Sequence, residues 1–379
     1  MTKETKVYSN DLIGVKESVT DEFLMLNPLQ TPMLNLLGFG SPVTNVEHVW
    51  FEDAMFAQES TVTKALTPEA TTIEVESGEA FRSRQVIRIG EELVLVAKVE
   101  GEKLTVLRGY ADTVAAAAEV GEVVEVMFVE GAEGSDAREG RYKPRTRGSN
   151  ITQIFDETVE LTGTAMAVAQ YGVDNEYEKE KQKKQLELAL ALEKAVINGI
   201  RYEQGNKRMM RGIRSFIETN IIPASGADVA DEHLIEAFRM IFEAGGFNTG
   251  GDYKIIVGAT QKIAISQFGN AQIRLTRQDN GRGQVVDHYV SDFGNAEILL
   301  NNNMPAGEIL VIDANRLSIR PLQTRDFSHE FLGKKGDYMQ GMLIGEYTLE
   351  MLQEAAHAKI TGLATGKAKV PATRAAAKK

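Results

Sequence analysis

The stretch DNEYEKEKQKKQLELALALEKAVING, from Asp174 to Gly199, decides the fold. Asn175 and Glu178 stand at the spacing of a capping box, in which the first side chain caps the helix and the second reaches back. Gly199 is a natural helix stop. The stretch therefore predicts a single long helix over residues 175–198.

The two halves of this helix differ in character. Residues 176–185 are charged or polar on every face, and Glu180 and Lys184 are spaced for a favourable ion pair. The second half is apolar, with three residues on one face: Leu188, Leu192 and Ala195. We expect the apolar half to dock on a core and the polar half to project as a rod. The alternative is an ordinary surface helix that frays at its start.

Composition places the chain among ordinary globular proteins. It has 379 residues, 43% hydrophobic and 25% charged, which indicates two or three packed units. There is no cysteine, so disulfides, thiolate metal sites and cysteine nucleophiles are excluded. No apolar run reaches the length of about 18 residues that spans a membrane, and no signal peptide is recognisable. We expect a protein of the cytosol without a membrane partner.

Charge is unevenly distributed. The net charge of −12 opposes tight binding to nucleic acid, which requires neutralisation of phosphates. Two segments run against this trend, a cluster between the first and second thirds of the chain and the tail at residues 364–379. The cluster consists of Arg138, Arg141, Lys143, Arg145 and Arg147.

The N-terminal 58 residues read as an extended arm with short helical pieces. Pro28 and Pro32 hold the residues before them in extended geometry. Apolar side chains surround the prolines, notably Leu26, Met33 and Leu34. An interrupted backbone with apolar side chains makes a poor core, so we expect a strap that lies over its own domain or over a neighbouring copy.

An all-β module and a hairpin follow the arm. Five short β-branched runs with tight turns predict a small antiparallel barrel or sandwich within residues 59–130. Residues 131–165 predict a long two-stranded hairpin with residues 140–148 at or near its tip. An isolated hairpin is marginal in water, and the basic tip favours an acidic partner surface. The alternative is a solvated charged loop.

A second α/β unit follows the long helix. The helix at Asp231–Ala244 should bury Leu234, Ile235, Phe238, Ile241 and Phe242. Further elements are predicted as strands at Tyr253–Val257, Val285–Val290, Ala296–Leu300, Ile309–Ile312 and Glu346–Leu352, and as a short helix at Gln261–Phe268. Residues 364–379 are of low complexity.

The sequence contains no recognisable catalytic, cofactor-binding or metal-binding motif. The five histidines, His48, His233, His288, His329 and His357, lack metal-binding spacing. The glycine-rich segment at residues 280–284 lacks the ending of a phosphate loop, and Asp292 is best explained as a turn residue. We therefore expect no catalytic, cofactor-binding or metal residue, and no cofactor.

Several motifs, taken in order, resemble a known family. They are Leu26–Leu34 with Trp50 and Asp53, Leu107–Tyr110 with Thr113, Asn150–Phe155, the helix to Gly199, Arg211–Ile213, Ser266–Phe268, Ser291–Gly294 and Met304–Asp313. This order resembles the major capsid proteins of tailed bacteriophages with the Hong Kong-type fold, in the family that carries an inserted β-domain.

The resemblance implies an α+β fold with an N-terminal arm, an extended E-loop, a P-domain with a long spine helix, an A-domain and a small all-β insertion domain. The implied domains are an arm at 1–58, the insertion domain at 59–130, the E-loop at 131–165, the P-domain at 166–227 and 318–363 with its spine helix at 175–198, the A-domain at 228–317 and a basic tail at 364–379.

The resemblance also implies a function. It predicts a structural, non-enzymatic protein that assembles as hexamers and pentamers into an icosahedral head around double-stranded DNA, within the host cytoplasm. The implied partners are other copies, separate scaffold, portal and decoration proteins, and DNA through weak non-specific contact. The residues expected at contacts between subunits are Arg138, Arg141, Lys143, Arg145, Arg147, Leu26, Pro28, Pro32, Met33, Leu34, Glu176 and Glu180.

Three features depart from the family pattern. Relatives usually carry glycine before the threonine that follows the Arg-Gly pair, whereas this chain has Asp112 before Thr113. The arm begins near Met1, which predicts a separate scaffold or none. Lys143 lies where certain relatives form a crosslink, but no asparagine partner is identifiable and we do not expect the reaction.

Two other functions stay open at this stage. One is an encapsulin-like compartment, which shares the fold and holds a cargo enzyme. The other is a monomeric enzyme or ligand-binding protein that uses the β insertion. Recruitment of an enzyme by purified particles would distinguish the first, and a monomer in solution would favour the second.

Overall fold

The computed structural model describes residues 31–131, 133–134, 140–168, 175–266 and 288–365. The chain divides into two compact units. One, here called the main unit, comprises residues 1–50 and 148–379, and the other, here called the β unit, comprises Phe51–Arg147. The main unit is thus built from two separate stretches of sequence.

The helices are α1 (Pro32–Leu37), α2 (Gly163–Ala167), α3 (Glu176–Asn198), α4 (Ile213–Phe216), α5 (Asp231–Glu243) and α6 (Ala259–Ser266). The strands are β1 (Glu47–Glu52), β2 (Glu59–Thr61), β3 (Thr72–Glu74), β4 (Gln85–Ile89), β5 (Glu92–Glu100), β6 (Lys103–Leu107), β7 (Val123–Val129), β8 (Thr146–Ile151), β9 (Gln153–Thr162), β10 (Tyr202–Gln204), β11 (Lys207–Met209), β12 (Ile221–Pro223), β13 (Tyr253–Val257), β14 (His288–Val290), β15 (Asn295–Leu300), β16 (Ile309–Asp313), β17 (Leu317–Pro321), β18 (Ser328–Lys335), β19 (Tyr338–Met351) and β20 (Ala358–Thr361).

Helix α3 begins and ends where the sequence predicts. The side chain of Asn175 accepts hydrogen bonds from the backbone N–H groups of Tyr177 and Glu178, at 3.1 and 3.3 Å. These bonds satisfy two of the amides that a helix start leaves without partners. At the other end the Gly199 N–H donates to the Ala195 carbonyl. The predicted pairing of Glu180 with Lys184 is wrong, because Glu180 binds Lys183 and Lys184 binds Glu187.

The apolar half of α3 docks on the core of the main unit. Leu188, Leu192, Val196 and Ile197 are buried there against a sheet in which β17, β19 and β18 are neighbours and β9 also pairs with β19. The 14-residue strand β19 is the common partner of the other three. The long helix thus rests on the longest strand and its neighbours.

The polar half of α3 is not a bare rod. It lies against β9 of its own chain, where Lys184 forms an ion pair with Glu157 at 3.3 Å. At the start of the helix the Tyr177 hydroxyl is 2.9 Å from Nε2 of His329 on β18. The expectation of a projecting rod is wrong because a long-range strand, which local periodicity does not reveal, covers one face.

A six-stranded sheet forms the second layer of the main unit. Its strand order is β12, β20, β16, β13, β15, β14, with both parallel and antiparallel neighbours. Helix α5 covers this sheet with Leu234, Ala237, Phe238 and Ile241. Two residues of the predicted buried face, Ile235 and Phe242, are 40% and 46% exposed. The apolar stripe of α5 is therefore wider than the surface that it covers. Part of the predicted strand at 285–290 and of the predicted helix at 261–268 lies outside the described residues.

The predicted hairpin at residues 131–165 is wrong. Strands β8 and β9 do not pair with each other, since only Thr152 separates them and the chain has no room to reverse. Instead β8 pairs with β1, and β9 pairs antiparallel with β19, with Thr162 opposite Tyr338. The two-stranded ribbon is thus formed by β1 and β8. The sequence of the β unit is inserted between its strands.

The β unit is a closed antiparallel barrel of six strands, one more than the sequence predicted. The order is β2, β7, β4, β5, β6, β3. A bridge between Val62 and Val75 closes the barrel, together with hydrogen bonds from the Thr63 N–H to the Glu74 carbonyl and from the Glu76 N–H to the Thr61 carbonyl. Closure leaves no open edge to pair with other chains.

A buried ion pair holds one loop of the barrel. The carboxylate of Glu92 accepts hydrogen bonds from the Arg108 guanidinium at 2.6 and 2.8 Å and from the N–H groups of Gly109 and Ala116. Arg108 is 7% exposed and Glu92 1% exposed. The hydrogen bonds from Arg108 and from the two amides hold the pKa of Glu92 below its ordinary value, although burial opposes them. The motif Leu107–Tyr110 therefore anchors a turn.

The loop explains the departure at Asp112. Its φ angle is +63°, in the left-handed region that favours glycine, and its side chain is exposed. Aspartate tolerates this region better than most residues do. The position therefore demands a backbone geometry that glycine meets without strain.

Substitutions at Asp112 should rank by their tolerance of positive φ. Asp112→Gly should match or exceed the wild type in stability, whereas Asp112→Val should cost about 1–2 kcal/mol, because a β-branched residue is strained there. Thermal unfolding of the chain measures the order. Glu69→Val, at an exposed position without positive φ, is the control. Equal stability of Asp112→Val and the wild type would contradict this account.

Candidate assembly surfaces

The described residues hold no catalytic or metal-binding constellation. Among them no group of three or more His, Asp or Glu side chains could hold a metal ion. The histidines act locally: His48 pairs with Glu350 at 3.3 Å, and His233 accepts from the Ala230 N–H at the start of α5. Asp292 lies in the turn between β14 and β15. The Ser291 side chain stabilises this turn by hydrogen bonds with the Gly294 carbonyl and the Phe293 N–H. The glycine-rich segment at 280–284 lies outside the described residues.

His357 is the exception in burial. It is fully buried, and Nδ1 accepts a hydrogen bond from the Asp313 N–H at 3.1 Å. Burial lowers the pKa of His357 to about 4, although the carbonyl of Leu352 and the nearby Asp313 and Glu354 oppose this effect. The neutral imidazole is therefore part of the folded state.

His357 should make the main unit sensitive to acid. Histidine binds a proton near pH 6.5 in the unfolded chain, but His357 does so only near pH 4 in the folded one. The stability that depends on neutral His357 is therefore fully present above pH 6.5 and is lost as the pH falls towards 4. As the pH falls from 6.5 to 4, the free energy of unfolding of His357→Gln should therefore decrease by about 3 kcal/mol less than that of the wild type. Thermal unfolding from pH 4 to 7 tests this, with the exposed His288→Gln as control. Parallel profiles for His357→Gln and the wild type would contradict it.

The described part of the arm is bound to its own subunit. Met33 on α1 is fully buried in the core of the main unit, and Leu34, Leu36 and Leu37 pack against it. Of the two surfaces expected for the strap, its own domain or a neighbouring copy, α1 lies on its own domain. Leu26 and Pro28 lie outside the described residues. Whether Pro32, Met33 and Leu34 also contact another copy stays a prediction.

One carboxylate attaches α1 to α3. Glu193, fully buried on α3, accepts hydrogen bonds from the N–H groups of Met33 and Leu34, each at 3.0 Å, and from the side-chain amide of Asn301 at 2.6 Å. The N-cap residue of α1, Thr31, provides no side-chain cap. Glu193 thus caps α1 from another helix, and its negative charge faces the positive end of the helix dipole. Burial raises the pKa of Glu193, despite the three donors.

Removal of this carboxylate should destabilise the main unit. Glu193→Ala leaves three buried donors without an acceptor, so it should cost about 2–4 kcal/mol. Urea unfolding followed by the fluorescence of Trp50, the only tryptophan, reports on this core. Lys194→Ala, the exposed neighbour on α3, is the control. A loss no larger than that of the control would show that Glu193 is not needed there.

The basic cluster packs within the β unit. The guanidinium of Arg141 lies 3.9 Å from the ring centre of Phe56 and donates to the carbonyls of Glu79 and Ala80. Lys143 donates to the carbonyl of Met55 at 3.0 Å. Backbone carbonyls and an aromatic ring thus bind these two side chains within the β unit. They do not lie at a hairpin tip, because β8 and β9 do not pair with each other.

Other members of the cluster differ. Arg145 forms an ion pair with Asp53 at 3.5 Å in which both side chains are 68% exposed. Arg147 also has an interaction within the protein. Arg138 lies outside the described residues. Arg145 is thus the described member that is best placed to contact a neighbour, since an exposed pair contributes little to its own subunit.

The two acidic residues predicted at the start of α3 are half-buried. Glu180 binds Lys183 and lines a shallow pocket with Thr158 and Gln340. One carboxylate oxygen of Glu176 is buried without a hydrogen-bond partner among the residues that the structure describes. Contact of these side chains with another copy stays a prediction.

Several residues were missed at the sequence level. Asn150 is buried and donates to the carbonyls of Arg211 and Leu349 while it accepts from the Arg211 N–H, so it joins three segments. Glu193 carries a signal that could have been noticed, namely a carboxylate within the apolar half of a helix. Exposed apolar side chains on α5 and β18, Ile235, Phe242, Phe331 and Leu332, are further contact candidates.

Comparison with known proteins decides the family. A family model described as "SU10 major capsid protein" matches residues 1–364 of the 379. The chain belongs to this family of major capsid proteins. No curated protein matches the capsid protein at a significant level.

Solved phage capsids share its fold. The capsid of a native GTA particle has a TM-score of 0.54 at 9% identity, over 92% of this chain and 96% of that chain. The capsid of cyanophage A-1(L) has a TM-score of 0.53 at 10% identity, over 94% and 98%. The structure from Microbacterium phage Oxtober96 has a TM-score of 0.50 at 9% identity, over 92% of this chain and 96% of that chain. At such identities these likenesses show the fold alone, and the predicted α+β capsid fold is confirmed.

The family establishes the role of this capsid protein. It is a structural, non-enzymatic protein of the virion capsid, and its copies associate with one another. None of its described helices is both long and apolar enough to cross a membrane. The family match over nearly the whole chain favours this role over an encapsulin-like compartment or a monomeric enzyme.

Proposed function

We propose that the capsid protein assembles as hexamers and pentamers into an icosahedral head that encloses double-stranded DNA. The observation that carries this proposal is the family match over residues 1–364, together with a subunit that has the capsid fold. Assembly would take place in the host cytoplasm. Scaffold, portal and decoration proteins would be separate chains.

The domains of the proposal follow the observed pairing. The E-loop corresponds to the ribbon of β1 and β8, and the β unit is the insertion within it. The P-domain corresponds to α3 with the sheet around β19, and the A-domain to the six-stranded sheet with α5. This assignment moves the E-loop from residues 131–165 to two strands that are separated by the whole insertion.

Charge supports contact between copies. Each chain carries a net charge of −12, so an exposed basic side chain meets a predominantly acidic neighbour. Arg145 is such a side chain, and charge complementarity at an interface fixes register and orientation more than it adds affinity. The same acidity opposes tight binding of the packaged DNA, because DNA binding depends on phosphate neutralisation. The DNA would thus make only weak, non-specific contacts.

Sedimentation and negative-stain microscopy of the purified protein test the proposal. We expect closed shells that sediment far faster than the 41.6 kDa chain. A chain that stays monomeric at every salt and protein concentration, with and without phage scaffold, would contradict it.

A charge reversal tests the proposed contact. Arg145→Glu should fold normally, because its ion pair is exposed, but should lower the yield of shells at least about tenfold, because it places like charges against each other. Lys64→Glu is the control, since it makes the same charge change at another exposed site of the β unit. Equal shell yields from the two variants would remove Arg145 from the interface.

A further inference from the structure

A basic cleft in the β unit has no role in the proposal above. Its volume is about 680 Å³, within the range of small-ligand sites. It is formed where residues 140–144 lie beside the end of β5 and the turn before β4. Its lining residues are Phe56, Glu79, Phe81, Arg82, Ser83, Ala97, Lys98, Val99, Gly140, Arg141, Tyr142, Lys143 and Pro144.

The charge of this cleft is opposite to that of the chain. Four basic side chains line it, Arg82, Lys98, Arg141 and Lys143, against the single carboxylate of Glu79. Lys98 is neutralised by Glu100 outside the cleft. The other three bind no carboxylate among the described residues, so a local excess of positive charge remains on a protein with a net charge of −12.

Arg82 is the least satisfied of these groups. Its Nε is buried and has no hydrogen-bond partner within the described part of the chain. A buried donor without an acceptor is costly and rare. Burial lowers the pKa of Arg141, and so does the positive charge of Arg82, which lines the same cleft. An anion between them would relieve both costs.

Aromatic side chains give the cleft an apolar wall. The guanidinium of Arg141 lies over Phe56, with Cζ 3.9 Å from the ring centre, and its Nη1 donates to the carbonyls of Glu79 and Ala80. Stacking and these hydrogen bonds hold the guanidinium in one orientation before any ligand arrives. Tyr142, which is 81% exposed, stands at the mouth.

We propose that this cleft binds a small oxyanion, a phosphate, sulfate or carboxylate group, between the guanidinium groups of Arg82 and Arg141. Arginine suits such a ligand because its planar fork donates two parallel hydrogen bonds to two oxygens. The acidity of the whole chain and the size of the cleft favour a small anion over a long polyanion. The inference does not depend on shell assembly.

Calorimetric titration of the full-length protein tests the site. Potassium phosphate, potassium sulfate and potassium acetate are titrated separately at constant ionic strength made up with chloride, which identifies the preferred anion. We expect saturable binding of at least one of them at one site per chain. Absence of saturable binding for all three would overturn the proposal.

Two variants assign the binding to the cleft. Arg82→Met keeps the length and apolar contacts of the side chain and should weaken binding at least about tenfold, because a charge-assisted pair of hydrogen bonds is lost. Arg88→Met is the matched control, since Arg88 lies on the same barrel and pairs with Glu125. Equal affinity of the two variants would overturn the assignment.

A measurement on the unchanged protein covers the case in which Arg82→Met does not fold. The preferred anion should slow hydrogen–deuterium exchange of the amides at residues 79–83 and 140–143 at least about twofold more than at β2 and β7. Uniform protection of the barrel, or none, would contradict binding at this cleft.

Discussion

The carboxylate of Glu193 connects three parts of the main unit. It lies on α3 within an apolar environment and binds two amides at the start of α1 and the side chain of Asn301 after β15. Burial of a charge is expensive unless donors surround it, and here three donors do so. The arm, the long helix and the six-stranded sheet therefore meet at one group. Without it the start of α1 would have buried amides with no acceptor.

A second buried polar contact fixes the ribbon in the same way. Asn150 at the end of β8 binds the backbone of Arg211 and of Leu349, so the strand that returns from the β unit is attached to the segment between β11 and α4 and to β19. Close backbone approach adds to this, because Gly199 and Gly212 leave no space for a Cβ between them. Polar groups of this kind specify one arrangement of segments that are far apart in sequence. These contacts define the arrangement of the subunit from within.

Local features were predictable from the sequence, and long-range partners were not. The bounds of α3 follow from Asn175 and Gly199, whose effects act within a few residues. The barrel follows from β-branched runs and tight turns. The hairpin failed because β9 pairs with β19, about 180 residues away, and β8 pairs with β1 on the other side of the insertion. No periodicity reveals such a partner.

The partners of individual side chains within the subunit were predicted less well. Arg141 and Lys143 were chosen for their charge, but carbonyl groups and Phe56 hold them within the β unit. Ile235 and Phe242 were placed inside because they continue an apolar stripe, and only the width of the sheet beneath α5 shows that they lie outside. Met33 was expected at a contact between subunits; its own core buries it, and its contact with another copy stays a prediction. In each case the type of side chain was known from the sequence, but the group that it contacts was not.

We infer that each subunit of this capsid holds α1 through its own Glu193 and builds a shell with its outer surfaces. A cryo-electron microscopy map of the assembled shell tests it most directly. The account predicts a closed icosahedral shell in which α1 binds Glu193 of the same chain. A map in which α1 traces to Glu193 of a neighbouring chain, or the absence of any closed shell, would contradict it.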